Sequence, residues 1–486
     1  MRTAVNLMYA VSLGSVALTC LLVGALLTAR TSLAATRVVP TNFGSIQVAI
    51  NSSADGDTVL VQPGVYTEKL KIVAKNLVLR SADGPQTTTL SCSGLDPPLL
   101  LITTWDSTTN FLAPIDTTTL ISGFTFTGAA NGLAEAGAVL CEGEQCSPCV
   151  LNNIFANNMA WRGAGMTVQY FATPNILNNL FQDNEAEQGG GLAILYAAGP
   201  RVIDNTFRRN VAYGNSTELG QGGAILIDGY ADALTLIQSN VINDNEADYG
   251  GAIAVLAGSD ATIYGNTIVH NRSNRVSEPW RCAGVRVQGS TTTATIRNNI
   301  ISMNDNGCGI EVKNATVTLG CNDVWHNQLG DYQGIAPLPS DFSTDPEFCS
   351  SSQFALQQVS PCLPENSGAC GLVGAEAVPC SAQVGIGDER GPERGPLSLT
   401  IRRLSNGGAE LILAGEVWES EGQASLRFLD VSGKVAYMAS MTREAGNSFA
   451  WSGETQGAGR VASGIYFVKC AVGSHVVQGK ILLLKR

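Results

Sequence analysis

Asn205-Thr206-Phe207-Arg208-Arg209-Asn210, followed by Gly222-Gly223-Ala224-Ile225-Leu226-Ile227, is one turn of a pattern that runs from Val139 to Asn327. An Asn is followed two residues on by an apolar residue, and three further on by a second Asn. The first Asn is Asn153, Asn179, Asn205, Asn240, Asn266, Asn299 and Asn322. The apolar partner is Phe155, Phe181, Phe207, Ile242, Ile268, Ile301 and Val324. The second Asn is Asn158, Asn184, Asn210, Asn245, Asn271, Asn304 and Asn327. After a Gly-rich step, one slot holds Val139, Met166, Leu192, Ile225, Ile253, Val285 and Ile310. Two residues later stand Cys141, Val168, Ile194, Ile227, Val255, Val287 and Val312.

Alternation with period two means that one face of each strand is buried. The first Asn residues are spaced by 26, 26, 35, 26, 33 and 23 residues, too short for ordinary strand-helix-strand crossovers. A unit of that size cannot bury its apolar face alone, but stacked coils can. In-register coils place equivalent residues about 4.8 Å apart. The Asn residues then form ladders at the turns, where Asn tolerates left-handed backbone and its amide both donates and accepts. The pattern predicts an all-β fold, a parallel β-helix, right-handed because parallel crossovers nearly always are.

The paired Gly-Gly-Ala-Ile and Phe-x-x-Asn signatures resemble the repeats of the polymorphic outer membrane proteins. More broadly, the region resembles the pectin lyase-like β-helix superfamily. That fold hosts lyases, hydrolases, esterases, adhesins and inert stalks, so the resemblance implies architecture and not activity.

Met1–Ala35 reads as a secretory signal: Arg2 in front, an apolar core over Val16–Leu27, and Leu33-Ala34-Ala35 at the end. An uncleaved membrane anchor is the competing reading. Removing the segment takes away Arg2 and Arg30 and no acid, leaving 27 basic against 41 acidic residues, a net charge of −14. Such a surface argues against nucleic acid and anionic lipid as partners. It also disfavours a polyanion such as pectate unless calcium bridges the two.

Of the 13 cysteines, 12 follow the signal, an even number that suits disulfides in an exported protein. Cys282 and Cys308 sit one residue apart in repeat register on adjacent coils, within bridging reach. Cys141, Cys146 and Cys149 crowd one insertion, and Cys349, Cys362, Cys370 and Cys380 follow the last coil. A zinc site is the competing reading for either cluster, but the three histidines lie elsewhere and no paired Cys-x-x-Cys units occur, so no cofactor is expected beyond the calcium that a polyanion would call for.

Thr41–Ser52 predicts a short amphipathic helix carrying Phe43, Ile46, Ala49 and Ile50 on one face. It precedes strands at Val59–Val61, Val65–Tyr66, Leu77–Leu79, Thr87–Leu90, Leu99–Ile102 and Ile121–Phe126. The run Ser45-Ile46-Gln47, Gly56-Asp57-Thr58-Val59 and Pro63-Gly64-Val65-Tyr66 resembles the opening of exported β-helix proteins, where the helix caps the first rung. Asp345-Pro346-Glu347-Phe348-Cys349 and Ser360-Pro361-Cys362 resemble their closing coil. The β-helix is thus expected over residues 36–380. Ser381–Pro396 reads as a linker. Leu397–Arg486 has the alternation of a small antiparallel sandwich, with Leu399, Ile401, Leu411, Leu413, Leu426, Phe428, Ile465, Phe467, Ile481 and Leu483 inward. Its blocks Asp430–Val435, Ala462–Phe467 and Lys480–Lys485 resemble C-terminal sorting domains of the type IX secretion system and the related hook-cap immunoglobulin-like domain. That resemblance implies secretion machinery as a partner and an extracellular or cell-surface location.

The polygalacturonase branch of the fold shows an Asp-Asp pair and a His-Gly step, and this chain has neither. Asp183, Arg209, Asp244 and His270 share one repeat position on four successive coils. They read either as an acid-base strip, with Asp183, Asp244 and His270 as catalytic candidates, or as a solvated charge ladder that sets register. Two coils carry insertions at one place, Val211–Gln221 and Arg272–Arg281, and insertions in repeat proteins often map to the binding face. That edge presents Trp161, Arg162, Glu187, Tyr213, Asp248, Tyr249, Trp280 and Arg281. Aromatic faces beside Arg and carboxylates suit sugar rings. The competing reading is that Trp161 and Trp280 only pack loops. The sequence therefore predicts a monomeric, exported, adhesin-like binder of a glycan or surface polymer. A polysaccharide lyase or glycosidase, and a passive stalk, are the other classes in play.

Overall fold

The computed structural model describes residues 34–375, apart from 93–95, 108–110, 131–133, 216–217, 230–233, 276–280 and 351–353. It also describes the strands of residues 398–483. The signal-like segment before residue 34, the linker and Trp280 lie outside the described residues. Contacts divide the chain into two units, Met1–Cys380 and Ser381–Arg486.

The first unit is a parallel β-helix. One coil shows how it is made. Arg201–Ile203 lies in sheet A, Thr206–Arg208 in sheet B, Val211–Ala212 in sheet D and Ile225–Asp228 in sheet C. The next coil then begins at Leu234–Gln238, back in sheet A. Among the described residues the sheets hold eleven (A), ten (B), ten (C) and five (D) strands, paired in parallel. The predicted register is the observed one. Val139, Met166, Leu192, Ile225, Ile253, Val285 and Ile310 pair in turn along sheet C. Phe155, Phe181, Phe207, Ile242, Ile268, Ile301 and Val324 do so along sheet B.

These residues fill the interior. The rings of Phe126, Phe155, Phe181 and Phe207 stack at 5.1, 4.5 and 4.6 Å with planes within 8°. Spacing near the strand separation lets each ring rest on the next without strain.

Each Asn marks a corner. The residue before it adopts left-handed backbone, as at Asp204 (φ 57) and Arg209 (φ 52). The Asn side chain then turns inward and bonds along the axis. Asn205 donates its backbone N–H and its amide to Asn240 Oδ1, at 2.8 and 3.1 Å. Its amide also reaches Ile176 O on the preceding coil, at 2.9 Å. The same set repeats at Asn210 with Asn245 and Phe181 O. Both ladders are buried, which makes every rung obligatory, since an orphaned amide there has no water to turn to.

The N-terminal cap is shorter than predicted. The helix runs over Ile46–Ser52, because Ser45 Oγ accepts from Val48 N and Glu68 accepts from the N–H groups of Ile46 and Gln47. Ile121–Phe126 is not one strand. It splits into Leu120–Ser122 in sheet A and Thr125–Thr127 in sheet B, since Gly123 (φ 82) makes the same corner that Asn152 makes one coil later. Phe124 N donates to Asn153 Oδ1 at 3.0 Å and starts the ladder.

Cys282 and Cys308 depart from expectation. A bulge between Cys282 and Val285 removes the one-residue offset and sets the two cysteines directly opposite. Both are free thiols, and Cys282 Sγ bonds instead to Cys308 O at 3.2 Å. At the far end Cys321 is bridged to Cys370, and Cys349 is disulfide-bonded.

The second unit packs a four-stranded antiparallel sheet against a three-stranded one. Leu411, Leu413, Leu426 and Phe428 face inward as predicted, with Phe428 4.1 Å from Trp451. The side chains of Leu399, Ile401, Ile465, Phe467, Ile481 and Leu483 lie outside the described residues. No described helix is long and apolar enough to cross a membrane.

Candidate functional site

Sheet D brings four of the eight predicted edge residues into one row. Ala160, Ala186, Ala212 and Ala247 point inward. Their small side chains let this sheet lie close to the Gly-rich step; a β-carbon on Gly190 would stand 2.6 Å from Val211 O of sheet D. The residue after each Ala points out, so Trp161, Glu187, Tyr213 and Asp248 stand one per coil.

The two carboxylates of the row hold the insertions. Glu187 accepts a hydrogen bond from the Asn215 amide. Asp248 Oδ2 accepts from Gly220 N at 2.9 Å, and its Oδ1 lies 3.9 Å from Arg275 Nε. Asp248 thus ties the first insertion to the second. Arg281 anchors the second one further, donating through Nε to Asn306 O at 2.9 Å. Trp161 is half-buried under the Arg162 guanidinium, 4.4 Å from its ring centre, and Tyr213 is 39% exposed.

Arg162 does not stay on this row. Its Nη1 donates to Tyr196 Oη at 3.1 Å, across the outer face of sheet C. That face carries the polar groups that the sequence reading passed over. Tyr170 and Tyr196 occupy equivalent left-handed corners (φ 53 and 50) just past the sheet C strands. Their rings stack at 5.1 Å with planes 10° apart. Glu142 and Gln169 pair in register on adjacent strands, and Gln169 Nε2 donates to Glu142 Oε2 at 2.9 Å. Asp228 follows two coils on, its carboxyl pushed up by burial against the opposing pull of Arg162. Further along, Arg286 pairs with Glu311 at 3.0 Å and lies 4.1 Å over the Tyr249 ring. Burial pushes the Glu311 carboxyl up although Arg286 opposes it. Tyr249 therefore acts on this face through Arg286. Several buried polar atoms here have no protein partner: Arg162 Nε, Gln169 Oε1, Gln221 Oε1 and Glu311 Oε1.

Tyr170, Tyr196, Glu142, Gln169, Asp228, Arg286 and Glu311 were all missed by sequence reasoning. Their signal was available in the alternation: Glu142, Gln169 and Asp228 each follow the second inward residue of a sheet C strand, and so must point outward.

The strip Asp183, Arg209, Asp244, His270 lies at another corner, between sheets B and D. All four residues are left-handed, with φ of 54, 52, 58 and 56. Arg209 binds Asp183 through two bonds of 2.7 and 2.8 Å. Asp244 accepts from its neighbour Asn243 at 2.5 Å, and the His270 ring sits 6.1 Å from that of Phe354. Among the described residues no hydrogen bond joins Asp244 to His270.

No curated protein matches the chain. The solved structures that align with it include three at low identity. A pectin methylesterase variant in complex with a hexasaccharide is 11% identical, covering 68% of this chain and 98% of that one, with a TM-score of 0.26. A variant of a PL6 family alginate lyase is 15% identical, covering 75% and 60%, with a TM-score of 0.25. The receptor-binding protein of bacteriophage Det7, a podoviral tailspike, is 12% identical, covering 93% and 98%, with a TM-score of 0.21. Residues 213–338 match a family model described as a right handed beta helix region, and the coils are those of a right-handed parallel β-helix.

Proposed function

We propose that the protein is an exported glycan binder whose contact surface is the outer face of sheet C with the adjoining sheet D row. One observation carries the reading: the Tyr170–Tyr196 stack, whose Tyr196 hydroxyl is held by Arg162, beside Trp161. Flat apolar rings with fixed polar edges are what a sugar offers and requires. Their placement on two adjacent coils suits a sugar chain lying along the axis. The resemblance of the C-terminal unit to sorting domains supports delivery to the cell surface.

The test is a polysaccharide panel presented to the full chain, scored for binding and for the release of reducing or unsaturated ends. Binding without new ends, weakened by Tyr196→Ala, supports the proposal. A panel with no ligand leaves the stalk reading. A second reading, lyase or glycosidase, is favoured by Asp228, a burial-raised carboxyl beside Arg162, the pattern of a general acid. New ends that vanish in Asp228→Asn would select it.

A further inference from the structure

The aromatic stack on sheet C is two rings long, and it ends on a glycine at each side. Gly143 precedes Tyr170 in the corner column, since its N–H donates to Gln169 O. Gly229 follows Tyr196, and a β-carbon there would stand 2.6 Å from Tyr196 N. The two ring faces left over are not equivalent. Tyr196 is half-buried, held at its hydroxyl by Arg162. Tyr170 is 46% exposed, and on its other side the corner column holds Gly143; among the described residues Tyr196 is the ring that stacks on it.

The coil of Gly143 borders the exposed face of Tyr170. Leu140 and Glu142 are its outward residues and are both half-buried. Gln169 Nε2 holds Glu142. Glu135 and Glu142 are both close enough to the Tyr170 hydroxyl to push it up, behind the larger effect of burial. Phe171 and Trp105, both about half exposed, each follow by two residues the register position of Glu142 on their own coils. Two deeply buried residues bring polar atoms without a protein partner: Thr104 Oγ1 and Gln169 Oε1. Thr104 Oγ1 points at the bare side of Gly143, 2.5 Å from where a β-carbon would be. Gly143 itself holds φ at 105, which favours glycine and keeps the position clear.

We infer that the exposed face of Tyr170, above Leu140 and Glu142, is a subsite for one neutral pyranose ring, which takes the place of a third ring in the Tyr196–Tyr170 stack. The inference rests on the glycan-binding reading and names the sugar class. The ring's apolar face lies on Tyr170, and its hydroxyls donate to the carboxylate of Glu142. That carboxylate repels a uronate, and residues 120–143 of this coil carry no Lys or Arg to offset it; the Arg162 guanidinium lies one ring further on, held at the Tyr196 hydroxyl. A neutral hexose or pentose polymer is therefore the ligand class, and pectate or alginate is not.

Titration calorimetry on the full chain tests this with cellohexaose, xylohexaose and mannohexaose as neutral probes and hexagalacturonate as the acidic one. At least one neutral hexaose should bind more tightly than hexagalacturonate, by about tenfold or more. Tyr170→Ala should weaken that binding by about thirtyfold, and Tyr170→Leu, which keeps apolar bulk but no flat ring, by nearly as much. Circular dichroism should show both variants folded, since the ring is outside the core. Glu142→Gln should narrow the gap between neutral and acidic probes. Neutral binding untouched by both Tyr170 variants would overturn the subsite and leave the glycan-binding reading standing. Tighter binding of hexagalacturonate would overturn the sugar class alone. Binding of none of the four probes and of no panel polymer would overturn the subsite together with the reading beneath it.

Discussion

Asn322 gives both its backbone N–H and its side-chain amide to Asp341 Oδ1, at 2.9 Å each. The first Asn ladder thus ends on a carboxylate. The second ends in the same way, where Asn327 donates twice to Asp331 Oδ1 at 3.3 and 3.0 Å. An Asp accepts as the next Asn would, but it has no amide to pass on, so it closes the row.

Asp341→Ala should therefore leave two buried donors of Asn322 unmet and cost about 1–3 kcal/mol. Asp341→Asn keeps the acceptor and should cost less. Urea unfolding of the β-helix unit measures both, and equal losses for the two variants would count against the cap.

A rung inside the ladder should matter more than its end. Asn205 Oδ1 accepts from the N–H and amide of Asn179 at 2.9 and 3.0 Å, while its own amide bridges to Asn240 and Ile176. Asn205→Ala takes the acceptor from both Asn179 donors and the amide donor from Ile176 O, while Asn240 Oδ1 keeps the backbone N–H of residue 205. It should cost about 1–3 kcal/mol for each buried group left unpaired, more in total than Asp341→Ala. Denaturant midpoints of the two variants, measured side by side, give the comparison.

Asp323 makes stability depend on pH. Burial lifts its carboxyl from 3.8 to about 7, with Asp331 and Asp345 adding to the shift. The Thr344 N–H at 3.0 Å and the Cys362 thiol at 3.2 Å oppose it. The folded state thus keeps a proton that the unfolded chain has already released above 3.8. For this group, stability is full below the unfolded value and is lost as pH rises through about 7, by at most about 1.4 kcal/mol per pH unit. Asp323→Asn should flatten that slope. Melting curves taken from about pH 4.5 to about pH 8 would show it, and an unchanged slope would refute the assignment.

Asp248 should control the loops and not the core. It holds Gly220 and stands beside Arg275, each on a different insertion. Asp248→Ala should speed limited proteolysis within residues 213–221 and 272–281 and weaken glycan binding. The melting temperature should move little, because the row lies outside the stacked interior.

Deleting Leu397–Arg486 should leave the β-helix folded, since the two units have separate cores. It should also stop the protein reaching the cell surface. Fractionation with an antibody to the β-helix is the readout. Normal surface levels of the truncated chain would make the unit a spacer or binding module.

Residues at equivalent positions of the repeat were legible in the sequence. Asn205 with Asn240, Phe181 with Phe207 and Ile225 with Ile253 could be paired because a coil that stacks in parallel must put equivalent residues side by side. The edge row Trp161, Glu187, Tyr213 and Asp248 was legible for the same reason. What the tertiary structure alone decided lies where the path leaves the repeat. Asp341 reaches Asn322 from 19 residues away and Asp331 reaches Asn327 from four, separations that match no coil length. Arg162 meets the Tyr196 hydroxyl because two different corners lean over one sheet face. A bulge after Cys282 shifted its register, and a bulge costs so little in local propensity that composition does not announce it. Strand pairing is dictated by a period written in the chain, whereas contacts across a sheet face depend on how far each corner swings its side chain, which is settled only when neighbouring coils pack.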